Sequence, residues 1–137
     1  MTEATTAPAR RAQVLLYSDD PAVRDQMRLA IGTEPTADLS IAFTEADNHH
    51  QVMRVLDRTD VDLVVLDGEA SPAGGLGIAR QIKDEIRDAP PVIVAIARSA
   101  DRWLAAFSGA DATIEHPLDP MTTGETIATV LREHAAR

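Results

Sequence analysis

The sequence VLLYSDDP, residues 14–21, predicts an apolar strand that ends in carboxylates and leads into a helix. A second apolar run, LVVLD at residues 63–67, ends in another aspartate. If the two strands lie side by side and parallel, their carboxyl ends place Asp19, Asp20 and Asp67 in the crevice where open α/β sheets hold ligands. Clustered carboxylates repel one another unless a cation neutralises them. The pattern therefore predicts a hard divalent ion, Mg2+, with one carboxylate free to act as a nucleophile.

Strand-like and helix-like segments alternate five times along the chain. Continuous apolar runs at about residues 13–18, 63–67 and 92–96 are typical of central strands that are covered on both faces. The alternating segment at residues 39–43 and the short segment at residues 112–115 are typical of edge strands. With right-handed crossovers, these assignments favour a doubly wound α/β fold whose five-stranded parallel sheet has the order 2-1-3-4-5.

Three of the predicted helices have a start signal in the sequence. Asp20 and Asp119 each provide a capping carboxylate, and each is followed by a proline at the first helical position, Pro21 and Pro120. Ser99 is a candidate cap for the fourth helix. These signals place helices directly after the predicted strands.

Composition sets limits on the class of protein. The 137 residues, 45% of them hydrophobic, are enough for one domain, expected at residues 13–137 after a disordered leader at residues 1–12. A formal net charge of −9 argues against direct binding to nucleic acid. The chain has no cysteine, and no run approaches the roughly 18 apolar residues of a membrane span. We therefore expect a cytoplasmic protein that binds neither nucleic acid nor membranes.

Taken in order, the motifs resemble the receiver domain of bacterial two-component response regulators over about residues 12–137. They are SDDP after the first strand, LD after the third, GL at the start of the third helix, PVIV in the fourth strand, and GAD followed by HP around the fifth. The resemblance implies a flavodoxin-like, receiver-like fold and a role in phosphorelay signal transduction. A histidine kinase or phosphotransfer protein would donate the phosphoryl group, and the chain would signal by protein–protein contact. Because no output domain follows residue 137, we expect an atypical stand-alone regulator that is not an enzyme.

The family's pattern, carried over residue by residue, assigns roles around the third strand. Asp67 becomes the phosphoacceptor. Asp19 becomes the main Mg2+ ligand, Asp67 a second ligand, and Glu69 the donor of a main-chain carbonyl. Asp20 is a further candidate ligand.

Four positions depart from the family's pattern, and all four bear on its chemistry. Ser18 stands where an acidic residue is usual, so the affinity for Mg2+ should be low. His116 replaces a lysine that touches the phosphoryl oxygens, and its side chain lies either in solvent or against the phosphoryl group. Ile96 replaces the serine or threonine that hydrogen-bonds the phosphoryl group, and Thr113 replaces the aromatic residue of the switch. The usual phosphate-sensing switch is therefore expected to be lost.

Three functions stay open at this point. The chain is a phosphorylatable regulator that is poorly coupled to a switch, a pseudo-receiver that binds proteins without phosphorylation, or an enzyme on the same fold class. A flavin-binding domain would need a hydroxyl- and glycine-rich loop after the first strand, where this chain has SDDP. An aspartate-nucleophile phosphatase would need another aspartate two residues after Asp67, where this chain has Glu69. The residues favour the first function slightly over the second.

Trp103 and Phe107 stand four residues apart on the predicted fourth helix, in a chain with only 3% aromatic residues. They are either core residues, which is the interpretation the sequence favours, or an exposed surface for a partner or a homodimer.

Overall fold

The computed structural model describes residues 10–135, and these residues form one parallel sheet with helices on both faces. The strands are β1 (Arg10–Tyr17), β2 (Leu39–Ala46), β3 (Leu63–Asp67), β4 (Val92–Ile96) and β5 (Ala112–Glu115). The helices are α1 (Pro21–Ile31), α2 (His49–Arg58), α3 (Gly75–Glu85), α4 (Arg102–Phe107) and α5 (Pro120–Ala135). Among the described residues, no helix is long and apolar enough to cross a bilayer.

The strand order is β2-β1-β3-β4-β5, which confirms the predicted doubly wound arrangement. β1 lies beside β3 in parallel, with Val14 opposite Leu63 and Tyr17 opposite Leu66. The two strands therefore end at the same edge of the sheet, at the point where the order of the strands reverses. Ser18, the residue after β1, and Asp67, the last residue of β3, come together there.

Buried side chains form one cluster on each face of the sheet. The cluster under α1 and α5 includes Leu16, Met27, Ile127 and Leu131. The cluster under α2, α3 and α4 includes Leu15, Val52, Ile82 and Ala105. Because alternate residues of a central strand enter opposite clusters, these strands are apolar throughout, which explains the continuous runs in the sequence.

The start of β1 differs from the prediction. The strand begins at Arg10, which pairs opposite Leu39 of β2, and its guanidinium donates a hydrogen bond to the carbonyl of Leu131 at 2.9 Å. Residues 10–12 thus belong to the sheet and not to the predicted leader, since pairing with β2 outweighs their polar composition. The rest of that leader, residues 1–9, lies outside the described residues.

Ser99 does not cap α4, so this prediction is wrong. The chain first forms a 3-10 turn at Ser99–Asp101, and α4 begins only at Arg102. Ser99 is itself the first residue of this turn. Within residues 10–135, no side-chain cap hydrogen bond is made at the start of the turn or at the start of α4. The two aspartate caps are present as predicted: Asp20 accepts from an N–H of α1 and Asp119 from an N–H of α5.

Candidate functional site

Asp67 ends the central strand β3, and its side chain is buried, with 4% of the residue exposed. One carboxylate oxygen, Oδ2, accepts a hydrogen bond from the hydroxyl of Ser18 at 2.8 Å. The other, Oδ1, accepts from the main-chain N–H of Glu69 at 2.8 Å. Both oxygens are therefore partnered, which a buried carboxylate requires.

Ser18 is fully buried between the ends of β1 and β3. Its hydroxyl donates to Asp67 and accepts from the N–H of Asp20 at 3.1 Å. Its main-chain N–H donates to the carbonyl of Ala46, and its carbonyl accepts from the guanidinium of Arg24 at 2.6 Å. The sequence predicts only a missing carboxylate at this position, and the direct contact with Asp67 becomes visible once the strand register is known.

Asp19 and Asp20 are adjacent in sequence but have different partners. Asp19 accepts from the N–H of Ser71 at 3.1 Å, so it contacts the same β3–α3 loop as Asp67. Asp20 accepts from the N–H of Ala22 at 2.9 Å and caps α1. The structure thus brings Asp19, Asp67 and the main chain of Glu69 to one loop, whereas the Asp20 carboxylate is engaged by its own helix.

The donor set determines how well a metal ion fits this site. Among residues 10–135, no group of three or more His, Cys, Asp or Glu side chains is arranged to hold one. Two carboxylates, from Asp19 and Asp67, and the carbonyl of Glu69 remain as hard oxygen donors of the kind that Mg2+ takes. Because Mg2+ retains several waters in such sites, these residues fit a hydrated ion.

Tyr17 is the last residue of β1, and its pKa is affected by the charges of the site. Its hydroxyl donates to the carbonyl of Ala73 at 2.5 Å, which ties β1 to the β3–α3 loop. Burial raises the pKa of Tyr17, and the nearby negative charges of Asp19, Asp67 and Asp47 raise it further. The carboxylates of Asp19, Asp47 and Asp67 thus lie close enough to Tyr17 for their negative charge to affect its ionisation.

Two glycines allow the chain to pass close to Asp67. A Cβ atom at Gly68 would lie 2.7 Å from the carbonyl oxygen of Ala95. A Cβ atom at Gly75, the first residue of α3, would lie 2.8 Å from the carbonyl oxygen of Asp67. Both contacts are with backbone atoms, so a side chain at either position would displace the strand ends that form the site.

The residues at the other three atypical positions lie on β4, on β5 and directly after β5. The ring nitrogen Nε2 of His116 lies 3.8 Å from Oδ1 of Asp67, so the ring faces the acidic site and is not a solvated loop side chain. Ile96 is buried in the core under α2, α3 and α4, and it has no side-chain hydrogen-bond donor. Thr113 lies on β5 opposite Val94.

Trp103 and Phe107 are not core residues, so the interpretation favoured by the sequence is wrong. Their exposed fractions are 67% and 74%. The short helix α4 is anchored in the core by Ala105, which is fully buried. The two aromatic residues therefore lie on the outer side of α4.

Comparison with known proteins places the chain in a family. No family model matches it. Two curated relatives, each described as an uncharacterized response regulatory protein, come from two strains of Mycobacterium tuberculosis. Both are 41% identical to the chain over 124 residues, which cover 90% of this chain and 93% of the relative. The chain belongs to the response regulator family.

Solved structures agree with this family assignment. This response regulator superposes on a receiver domain from Francisella with a TM-score of 0.75 at 15% identity, covering 89% of this chain and 98% of that one. A LuxR-family response regulator from Aurantimonas gives a TM-score of 0.76 at 25% identity, covering 90% and 87%. A CheY-like receiver domain from Methanospirillum hungatei gives 0.73 at 19% identity, covering 93% and 98%. The receiver fold therefore spans most of this response regulator.

Proposed function

We propose that this response regulator accepts a phosphoryl group on Asp67 from a histidine kinase or phosphotransfer protein and signals by protein–protein contact. Receiver domains are in general signalling modules of this kind and not enzymes. The main support is the position of the Asp67 carboxylate, which ends a central strand at the reversal of strand order. Asp19 contacts the β3–α3 loop that follows Asp67, and the ring of His116 lies near the Asp67 carboxylate.

The proposed transfer needs an attacking oxygen and stabilisation of the phosphoryl charge. One carboxylate oxygen of Asp67 forms a bond to phosphorus as the bond from phosphorus to the donor's histidine nitrogen breaks, and the electron pair leaves with that nitrogen. The N–H of Glu69 and the hydroxyl of Ser18 lie within hydrogen-bond distance of Asp67, where they can position the attacking carboxylate. Asp19, Asp67 and the main-chain carbonyl of Glu69 would hold Mg2+, and its charge would neutralise part of the negative charge of the transferred group.

The ring of His116 would meet the incoming phosphoryl group where a lysine is usual. Histidine has a shorter side chain than lysine and, unlike lysine, is not a permanent cation. We therefore expect the transfer to be slower than in a receiver with the lysine. Since Ile96 cannot donate a hydrogen bond and Thr113 is not aromatic, we also expect the phosphoryl group to be poorly coupled to β4 and β5.

A phosphorylation-independent pseudo-receiver is the second candidate function. The buried Ile96 and the neutral Ser18 hydroxyl beside Asp67 favour it, because both remove parts that phosphorylation would use. In that case Asp67→Ala would leave partner binding unchanged. A large loss of binding in that variant would instead favour the phosphorylated regulator.

The exposed outer side of α4 is the proposed contact surface for a partner or for a homodimer. Trp103 and Phe107 offer two large aromatic side chains, and exposed aromatic residues are frequent interface hot spots. Trp103→Ala should weaken binding by about 2 kcal/mol or more while changing stability by less than about 0.5 kcal/mol. Leu29→Ala is a matched control, since Leu29 is 81% exposed on α1.

Mass spectrometry of the intact protein tests the phosphoacceptor directly. The protein is incubated with Mg2+ and a small phosphoryl donor such as acetyl phosphate, and then with the histidine kinases of its source organism. The wild type should gain one phosphoryl group and Asp67→Asn none. Asp20→Asn is the matched control and should still be phosphorylated, because the Asp20 carboxylate caps α1. An unmodified wild type with every donor would contradict the proposal.

A further inference from the structure

Ser18 is fully buried, and its hydroxyl takes part in two hydrogen bonds. It donates its one proton to Oδ2 of Asp67 at 2.8 Å, and it accepts from the N–H of Asp20 at 3.1 Å. Both residues are largely shielded from bulk water, since the exposed fractions of Ser18 and Asp67 are 0% and 4%. The hydrogen bond between them is therefore not one that water readily replaces.

The main chain of Ser18 is fixed from two other elements. Its N–H donates to Ala46 at the end of β2, at 3.3 Å. Its carbonyl accepts from Arg24 of α1 at 2.6 Å, and the Arg24 guanidinium is paired with Glu45 at 2.8 Å. Because both main-chain polar groups are held, the hydroxyl has a defined position relative to Asp67.

We infer that Ser18 is a positioning residue for Asp67, which holds the carboxylate in place without a metal ion and lowers the affinity of the site for divalent cations. The Ser18 proton is directed at Oδ2, so the hydrogen bond occupies one of the lone-pair sites through which this oxygen could bind a cation. The hydroxyl also brings a neutral oxygen to a place where a carboxylate would add a full negative charge. This inference rests on the proposed function only in treating Asp67 as the acceptor.

The hydrogen bond itself is tested in the metal-free protein by NMR. Ser18→Ala should shift the side-chain carboxyl carbon signal of Asp67 and the amide signal of Asp20, because both lose their partner. Ser18→Thr keeps a hydroxyl and should restore both signals toward the wild type. A merely structural role for Ser18 would not produce this pattern of loss and restoration.

Metal affinity is tested by titration of Mg2+ while the amide signals of Glu69 and Ser71 are followed. Ser18→Asp should bind Mg2+ about 10–100-fold more tightly than the wild type, the range typical of changes beside metal ligands. Ser18→Thr should bind as the wild type does. Ser99→Asp adds the same charge in the exposed turn before α4 and should leave the affinity unchanged.

Two results would overturn the inference. One is a folded Ser18→Asp that binds Mg2+ no more tightly than the wild type, and the other is a Ser18→Ala whose metal-free signals match the wild type. If circular dichroism shows that Ser18→Asp does not fold, the metal-free NMR signals of Ser18→Ala and Ser18→Thr test the inference by themselves. None of these measurements uses a phosphoryl donor, so a failure of Asp67 phosphorylation and a failure of this inference are separately visible.

Discussion

Replacing Gly75 by alanine should destabilise this response regulator, whereas the same change at Gly77, two residues later in α3, should stabilise it. A Cβ atom at Gly75 would lie 2.8 Å from the carbonyl oxygen of Asp67, 2.9 Å from its carbonyl carbon and 3.0 Å from the nitrogen of Gly68. Among the described residues, nothing lies within 4 Å of a Cβ atom at Gly77. The two substitutions are chemically identical, so the difference between them isolates the close approach of α3 to Asp67.

The expected magnitude follows from two opposing terms. Forcing an extra carbon into a packed site costs about 1–3 kcal/mol, and here the crowded atoms are backbone that cannot rotate away. Alanine in place of glycine inside a helix contributes about 0.5–1 kcal/mol of stability, with less gain at the first position of the helix. Gly75→Ala should therefore lose about 1–2 kcal/mol of unfolding free energy, and Gly77→Ala should gain about 0.5–1 kcal/mol.

Urea denaturation followed by far-ultraviolet circular dichroism measures both unfolding free energies. Equal m-values would show that the variants expose the same amount of surface when they unfold. Gly75→Ala should also slow phosphorylation of Asp67, because the displaced backbone carries the acceptor. If Gly75→Ala proved as stable as Gly77→Ala, α3 would not press on the end of β3, and the packing described for Asp67 would be refuted.

Three further predictions concern Asp20, Tyr17 and Asp119. Asp20→Ala removes the cap of α1 and should lower the unfolding free energy by about 1 kcal/mol. It should leave the affinity for Mg2+ unchanged, and a large loss of affinity would show that Asp20 is a metal ligand. Tyr17 is the only tyrosine, so tyrosinate absorbance should show that it ionises above pH 10.0, and Asp67→Asn should lower its pKa by removing one negative charge. Because the folded-state pKa of Tyr17 is raised, its contribution to stability is complete below pH 10.0 and is lost as the pH rises through that pKa, which alkaline unfolding curves can detect. Hydrogen bonds from Thr122 lower the pKa of Asp119, so Asp119→Ala should be less stable than the wild type at neutral pH and should lose this deficit in urea titrations below pH 3.8.

Much of the fold could be predicted because burial on both faces leaves a clear sequence pattern. The bounds of β3, β4 and β5 agree with the predicted segments, and the sheet order follows from the contrast between continuous and alternating strands. The aspartate–proline pairs before α1 and α5 also mark the true starts of these helices, since the cap and the fixed proline angle are local effects. Local and two-face patterns are thus the parts of this fold that the residues encode most directly.

The parts that could not be predicted depend on contacts between distant segments. Trp103 and Phe107 have the four-residue spacing of a helical stripe, and this spacing is the same for a core face and an exposed face. Only the packing of Ala105 decides which side of the six-residue α4 is buried. The hydrogen bond between Ser18 and Asp67 joins residues 49 apart, so it requires the register of β1 against β3.

The most direct test of whether Asp67 can accept a phosphoryl group is an amide NMR titration with Mg2+ and then with beryllofluoride. Beryllofluoride imitates the aspartyl phosphate. The wild type should show saturable shifts that begin at Asp19, Asp67 and Glu69, and the same titration of Asp67→Ala should show none. A folded wild type whose signals do not respond to beryllofluoride would contradict the account and would leave surface contacts, without phosphorylation, as the basis of its function.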